Sequence, residues 1–321
     1  MTLPSPEGFS LRNSIRIDVA FDKNRTVDEA KHVVLDLLQF LTVIAGRSQN
    51  LGDLRLTLST PLDDGPCFLD VYWPLQPRRR ADEQAERPNH WDLPLQAASE
   101  PEHFSQVLSA WLARQDHWRS ARSRFAEASS LGRLYNVDRL VGAANMFDIL
   151  PDDAYAPPVP LPLELAAARD AARTAFKALP SNPERDSVLG ALGRIGSLSL
   201  KRKVRQRAAL VSTRISDVLP ELELVCDQAV DCRNFYVHGS VAKLDYEKHH
   251  KLSSFFSDTL EFIFAASDLQ ECGWDSRRVT RNTSMSHPFG RFRVDYRDRL
   301  ANLKSILGGS KPPGGTAGRS A

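Results

Sequence analysis

Apolar residues recur along this chain with two periods, and the change of period divides it. Ile15, Ile17, Val19 and Phe21 alternate with other positions, the period of a half-buried strand. Thr26, with Glu29 three residues on, writes a capping box. Val33, Val34, Leu37, Leu38, Leu41 and Ile44 then follow at helical spacing as far as Gly46. Segments 54–58 and 67–73 read as two further strands. Segment 74–101 carries prolines and both signs of charge, with Arg78, Arg79 and Arg80 followed by Asp82, Glu83 and Glu86, and reads as a long solvated loop. Two helices are predicted next, over 104–127 and 129–150. Their aromatic residues, among them Trp111, Trp118, Phe125 and Phe147, fall near helical register and read as core.

A run with Pro157, Pro158, Pro160 and Pro162 interrupts this pattern and marks a domain boundary, because such stretches resist helix and make stiff linkers. Beyond it the period is helical throughout, over 163–179, 185–200, 201–219, 219–238 and 246–272. Four to five helices with short connections fit an up-and-down bundle. Residues 277–306 are basic, with room for one short helix, and 308–321 are rich in Gly, Pro and Ser and expected to be disordered. The expected fold class is therefore an α+β N-terminal domain followed by an all-α up-and-down helical bundle. Its divisions are 1–156 for the mixed domain, 157–275 for the bundle, and 276–321 for a basic segment and tail.

Composition changes this picture little. At 321 residues the chain can hold two domains, and its net charge of +2 is too small to mark a nucleic-acid binder, so any basic surface must be local. Cys67, Cys226, Cys232 and Cys272 form no CxxC pair and read as reduced, buried thiols, which predicts a cytoplasmic protein. Residues 1–14 lack the apolar core of a signal peptide. The longest apolar run, 33–45, is broken by Asp36 and Gln39 and is too short to span a membrane.

One stretch reads as chemistry, Asp231-Cys232-Arg233-Asn234-Phe235-Tyr236-Val237-His238-Gly239-Ser240. Leu219, Leu222, Val225, Cys226 and Ala229 lead into it at helical spacing, and Gly239 is a natural helix stop. Arg233 and His238 then lie in the last turns, where the helix dipole favours positive side chains. Positions five apart differ by ~140° around a helix, so the two do not share a face. Either the helix breaks before His238 or a second copy of the motif completes a site. The bland alternative is a helix cap beside a surface arginine. Lys201, Arg202, Lys203 and Arg205 form a candidate phosphate-contacting face. The alternative there is a solvated helix start, although basic residues at a helix N-terminus oppose its dipole. Arg277, Arg278, Arg281, Arg291 and Arg293 make a second basic edge, where Phe289 and Phe292 would be the stacking residues. No Cys/His set has metal-site spacing, and no cofactor is expected.

A helical bundle carrying Arg-Asn-x-x-x-His-Gly just before its last long helix resembles the HEPN superfamily, over roughly residues 160–270. The order of parts is similar to ApeA-like proteins, in which a mixed α/β domain precedes the HEPN bundle, although this chain looks short at its N-terminus for one. The resemblance implies a metal-independent endoribonuclease whose site forms where two motifs meet in a homodimer. Arg233 and His238 would be catalytic and Asn234 a supporting polar residue. RNA would be the substrate, the N-terminal domain would sense a trigger or regulator, and the role would be anti-phage defence or toxin-like growth arrest. Some members of the superfamily keep the fold as binding or regulatory modules without activity, which is the alternative. RNA carries its own nucleophile, the 2′-hydroxyl. A histidine can move the proton and an arginine can hold the non-bridging oxygens, so such a site needs no metal.

Overall fold

The first helix starts as its capping box predicts: the Glu29 carboxylate accepts from the Thr26 backbone N–H at 2.7 Å, and the Thr26 hydroxyl accepts from the Glu29 N–H at 3.2 Å. In this computed structural model, residues 16–49, 51–58, 67–72, 88–157, 159–280 and 285–309 are described. Among them lie ten helices, α1 Val27–Ala45, α2 Pro101–Ala113, α3 Gln115–Ser130, α4 Val137–Asp148, α5 Leu163–Lys177, α6 Pro183–Gly193, α7 Leu200–Ile215, α8 Leu222–His238, α9 Lys251–Glu271 and α10 Pro288–Gly309. Two short strands, β1 Arg55–Thr57 and β2 Phe68–Asp70, make the one sheet among the described residues. The expectations for 1–15, for Arg78 to Arg80 and for the tail over 310–321 lie outside the described residues. The chain is thus an α+β N-terminal part followed by a helical bundle.

Two compact units divide the chain, Met1–Leu35 with Asp53–Tyr72, and Asp36–Gly52 with Trp73–Ala321. In the first, β1 and β2 pair antiparallel in the register Arg55↔Asp70, Leu56↔Leu69 and Thr57↔Phe68. Arg55 and Asp70, facing each other, form an ion pair at 2.9 Å. The strand expected at 15–21 does not form over its described residues. Ile17, Val19 and Phe21 are exposed, and residues 16–21 join no ladder that would satisfy their backbone groups.

The second unit is organised on α9. Helices α4, α7, α8 and α10 pack against it, and its buried residues run from Leu252 to Leu269 with few interruptions. The buried carboxylates of α9 are paired from neighbouring helices. Arg122 of α3 forks onto Asp268 at 2.8 Å through both Nε and Nη2, and Arg139 of α4 forks onto Glu261 at 2.7 and 2.8 Å. The single helix expected over 104–127 is two, α2 and α3, with the break at Arg114. The single short helix expected in 277–306 is instead the 22-residue α10. Its Phe289, Phe292, Tyr296, Leu300 and Leu303 are buried, so the two phenylalanines are core and not stacking residues. The turn from α1 approaches α10 closely: Gly46 has φ +62°, and a Cβ there would overlap Pro288 and His287.

The proline run lies between α4 and α5. Helix α4 before it and α7 after it pack on each other within one core. Helices α5 and α6, directly after the run, pack on each other as a hairpin without a fully buried residue.

Candidate active site

Helix α8 buries Leu222, Val225, Cys226, Ala229, Val230 and Cys232, and this face fixes where its last two turns point. The helix does not break early. It runs through His238 and ends at Gly239, whose φ is +62° and whose N–H donates to Phe235 O at 3.0 Å. Of the two ways to reconcile the five-residue offset, the early break is therefore absent. The reach of the arginine closes the gap within one chain: Arg233 Nη1 donates to His238 Nε2 at 3.0 Å.

Arg233 is the centre of the cluster, with its side chain 12% exposed. Nη1 also donates to Asn234 Oδ1 at 3.0 Å, and Nη2 donates to Asn145 Oδ1 of α4 at 2.9 Å. Nε is buried without a hydrogen-bond partner. The carboxylate of Asp148 stands at 4.0 Å and also faces Lys203 at 3.5 Å. The guanidinium is thus held by two amides and an imidazole, all neutral acceptors. Because an arginine side chain only donates, the Nε2 it meets must be unprotonated, and the His238 ring proton sits on Nδ1. His238 itself is exposed.

The expected site residues divide into two groups. Arg233, Asn234 and His238 come together. Lys201, Lys203 and Arg205 are engaged with carboxylates. Lys201 Nζ meets Asp231 at 2.7 Å, and Arg205 pairs with Asp227 and with Glu223 at 2.9 Å. These pairs form a ladder between α7 and α8. Asp231 is shared with Lys243, also at 2.7 Å, and this bond raises the Lys243 pKa. Arg202 is exposed and makes no ion pair among the described residues. Asn145 and Asp148 were not singled out from sequence. The available signal was a lone amide inside the apolar run Gly142-Ala143-Ala144-Asn145-Met146-Phe147. Burial pushes the Cys232 thiol up to about 12, which leaves it a poor nucleophile beside the site. Among the described residues no three His, Cys, Asp or Glu side chains group as a metal site would need, and no helix is long and apolar enough to cross a membrane.

Comparison with known families agrees with this architecture. The Apea-like HEPN family matches residues 141–278, and ApeA N-terminal domain 1 matches residues 1–111. The HEPN match opens inside α4, ahead of the proline run, and takes in Asn145, Asp148 and all of α8. The chain is an ApeA-like HEPN domain protein. Such a domain points to a nuclease-type, anti-phage-related function. No curated protein and no solved structure matches the chain.

Proposed function

We propose that this protein is a metal-independent endoribonuclease in which Arg233 and His238 cleave RNA through attack of the 2′-hydroxyl on the adjacent phosphate. The observation that carries this reading is the hydrogen bonding of Arg233: a mostly covered guanidinium whose bonds go to Asn145, Asn234 and His238, with the nearest carboxylate, Asp148, at 4.0 Å and shared with Lys203. A phosphate is the natural acceptor for such a fork. When non-bridging oxygens take the Nη1 donor, His238 Nε2 is released and can accept the 2′-hydroxyl proton. The ring, now doubly protonated, can then protonate the leaving 5′-oxygen. The products are a 2′,3′-cyclic phosphate and a 5′-hydroxyl, and DNA is spared for want of the nucleophile. Asn234 orients the arginine. Arg202, exposed and without an ion pair among the described residues, is the basic residue of α7 most open to an RNA backbone. Lys201, Lys203 and Arg205 would do so only by exchanging a carboxylate for a phosphate.

We further propose that the protein acts as a homodimer in the cytoplasm, with RNA as substrate and the N-terminal domain as the sensing or regulatory part of a defence or growth-arrest response. Exposed apolar residues around the motif, Tyr236, Val237 and the 91% exposed Val241, support a subunit contact there. The alternative, a binding module without activity, draws on the same bond, since in the resting chain Nε2 is occupied.

The test compares wild type, Arg233→Ala and His238→Ala on single-stranded RNA in EDTA, with product ends identified by mass spectrometry. Wild type should give cyclic phosphate ends and both variants should be inactive. Undiminished cleavage by His238→Ala, or cleavage of RNA bearing 2′-deoxy nucleotides at the cut site, would refute the mechanism. RNA binding by folded wild type without cleavage would favour the binding module.

A further inference from the structure

A cleft of about 930 Å³ opens at the N-terminal end of α4, bounded by the end of α3, by α9, by the start of α10 and by residues 46–48. It is separate from the Arg233 cluster, which α4 holds by Asn145 and Asp148 at its other end. Among the described residues, five arginines line the cleft, Arg47, Arg133, Arg139, Arg291 and Arg299, against Asp258, Glu261 and Asp295, an excess of two positive charges. All three carboxylates are engaged. Glu261 accepts both bonds of the Arg139 fork, Asp258 accepts from Arg299 at 2.8 Å and from the Tyr135 hydroxyl at 2.6 Å, and Asp295 accepts from Arg299 at 3.3 Å. The acids are therefore not presented to a cation, and the remaining lining arginines are Arg47, Arg133 and Arg291, the last donating to Met285 O at 3.2 Å and to Ser286 O at 3.0 Å.

Two lining groups remain open. Arg133 is exposed and makes no hydrogen bond or ion pair among the described residues. Ser48 is only 8% exposed, yet its hydroxyl has no hydrogen-bond partner. A buried hydroxyl left unpaired costs stability unless a ligand or water completes it. The volume far exceeds that of a single phosphate and falls in the range of small-molecule sites, and Phe125 and Tyr135 add aromatic wall to the charged rim.

We propose that this cleft binds a phosphorylated small molecule of the nucleotide class, with its phosphates among Arg133, Arg47 and Arg291, the Ser48 hydroxyl as a further donor, and its apolar body against the aromatic wall. Binding is independent of the nuclease reading, since none of these residues touches the Arg233 cluster.

The full chain is titrated by calorimetry with ATP, GTP, CTP and UTP, and with inorganic tripolyphosphate. At least one nucleoside triphosphate should bind saturably at one per chain and more tightly than tripolyphosphate. Arg133→Glu should weaken it by about tenfold or more at an unchanged melting temperature, because a charge-assisted contact becomes a repulsion. Ser48→Ala should weaken it by a smaller factor, and Arg233→Ala should bind as wild type. Absence of saturable binding by all four nucleotides, equal affinity for tripolyphosphate, or a loss in Arg233→Ala matching that in Arg133→Glu would overturn the proposal.

Discussion

Two arginines in this protein meet opposite surroundings. Arg122 is 1% exposed and closed on every side: two bonds to Asp268, one to Trp111 O at 2.9 Å, one to Gln115 Oε1 at 2.6 Å, and the Trp111 ring 3.6 Å from its Cζ. Arg233 is also mostly covered, but its acceptors carry no formal charge, and its Nε has none at all. Burying a cation against a well-aligned carboxylate makes a joint between helices. Burying it against amides and an imidazole leaves a charge that an incoming anion can still claim. The difference separates scaffold from candidate site more sharply than exposure does.

The comparison can be broken most directly at His238. His238→Ala should lower RNA cleavage by ~10²–10⁴-fold, the usual worth of a general acid–base group. Since the ring is exposed, the urea unfolding midpoint should stay in place. Coupled loss of fold and activity would mean that the cluster is scaffold after all. Arg122→Ala should do the reverse and cost about 3–5 kcal/mol in urea unfolding, because it strands a buried carboxylate. Little change in stability would show that Arg114, 3.4 Å from Asp268, takes over the charge.

His287 is a third way to bury a cationic side chain, by keeping it neutral. Burial holds its pKa down to about 4, against backbone contacts from Val43 and Ile44 that act to raise it. The unfolded chain binds this proton near pH 6.5, so between pH 6.5 and 4 the unfolded state carries more protons than the native one. Stability should therefore fall as the pH falls through that window, by ~3 kcal/mol from this group, and be insensitive to it above. Urea titrations of wild type and His287→Gln at pH 7 and 4.5 should show a smaller acid loss in the variant. Equal losses would assign the acid sensitivity elsewhere. The smallest expected effect is at Asn145. Asn145→Ala frees one Arg233 donor and should reduce turnover by about tenfold, the loss of one positioning hydrogen bond. Asn145→Asp would put a carboxylate beside the guanidinium and should lower activity further while stabilising the fold.

Much of the bundle was legible because its helices carry uninterrupted apolar stripes, as the Val225, Cys226, Ala229 face of α8 does. The capping box of Thr26 and Glu29 and the stop at Gly239 were legible for the same reason: local chemistry decides them. What escaped were features set by distant partners. Ile17, Val19 and Phe21 alternate correctly, but a strand also needs a neighbour. Helix α10 hid because Phe289, Phe292, Tyr296 and Leu300 stand among arginines, and only packing on α9 reveals the buried side. In the candidate site, the spacing of Arg233 and His238 could be read from the chain. The role of Asn145 could not, since nothing local ties it to a residue 88 positions away. Lys201, Lys203 and Arg205 looked like a free basic face because their carboxylates lie on α4 and α8. The proline run reads as a boundary in sequence, and across it α4 and α7 pack on each other.

The bond from Arg233 to His238 has a spectroscopic side. It holds the resting imidazole in the tautomer with its proton on Nδ1, the minor form of free histidine in water. The ring nitrogens of His238 should therefore show their chemical shifts in inverted order, with Nε2 as the unprotonated partner. The pattern should revert when a phosphate analogue draws the guanidinium away. A nitrogen spectrum of histidine-labelled protein, with the His238 signals assigned among the eight histidines by their loss in His238→Ala, would thus report the state of the site in a protein that has not yet turned over.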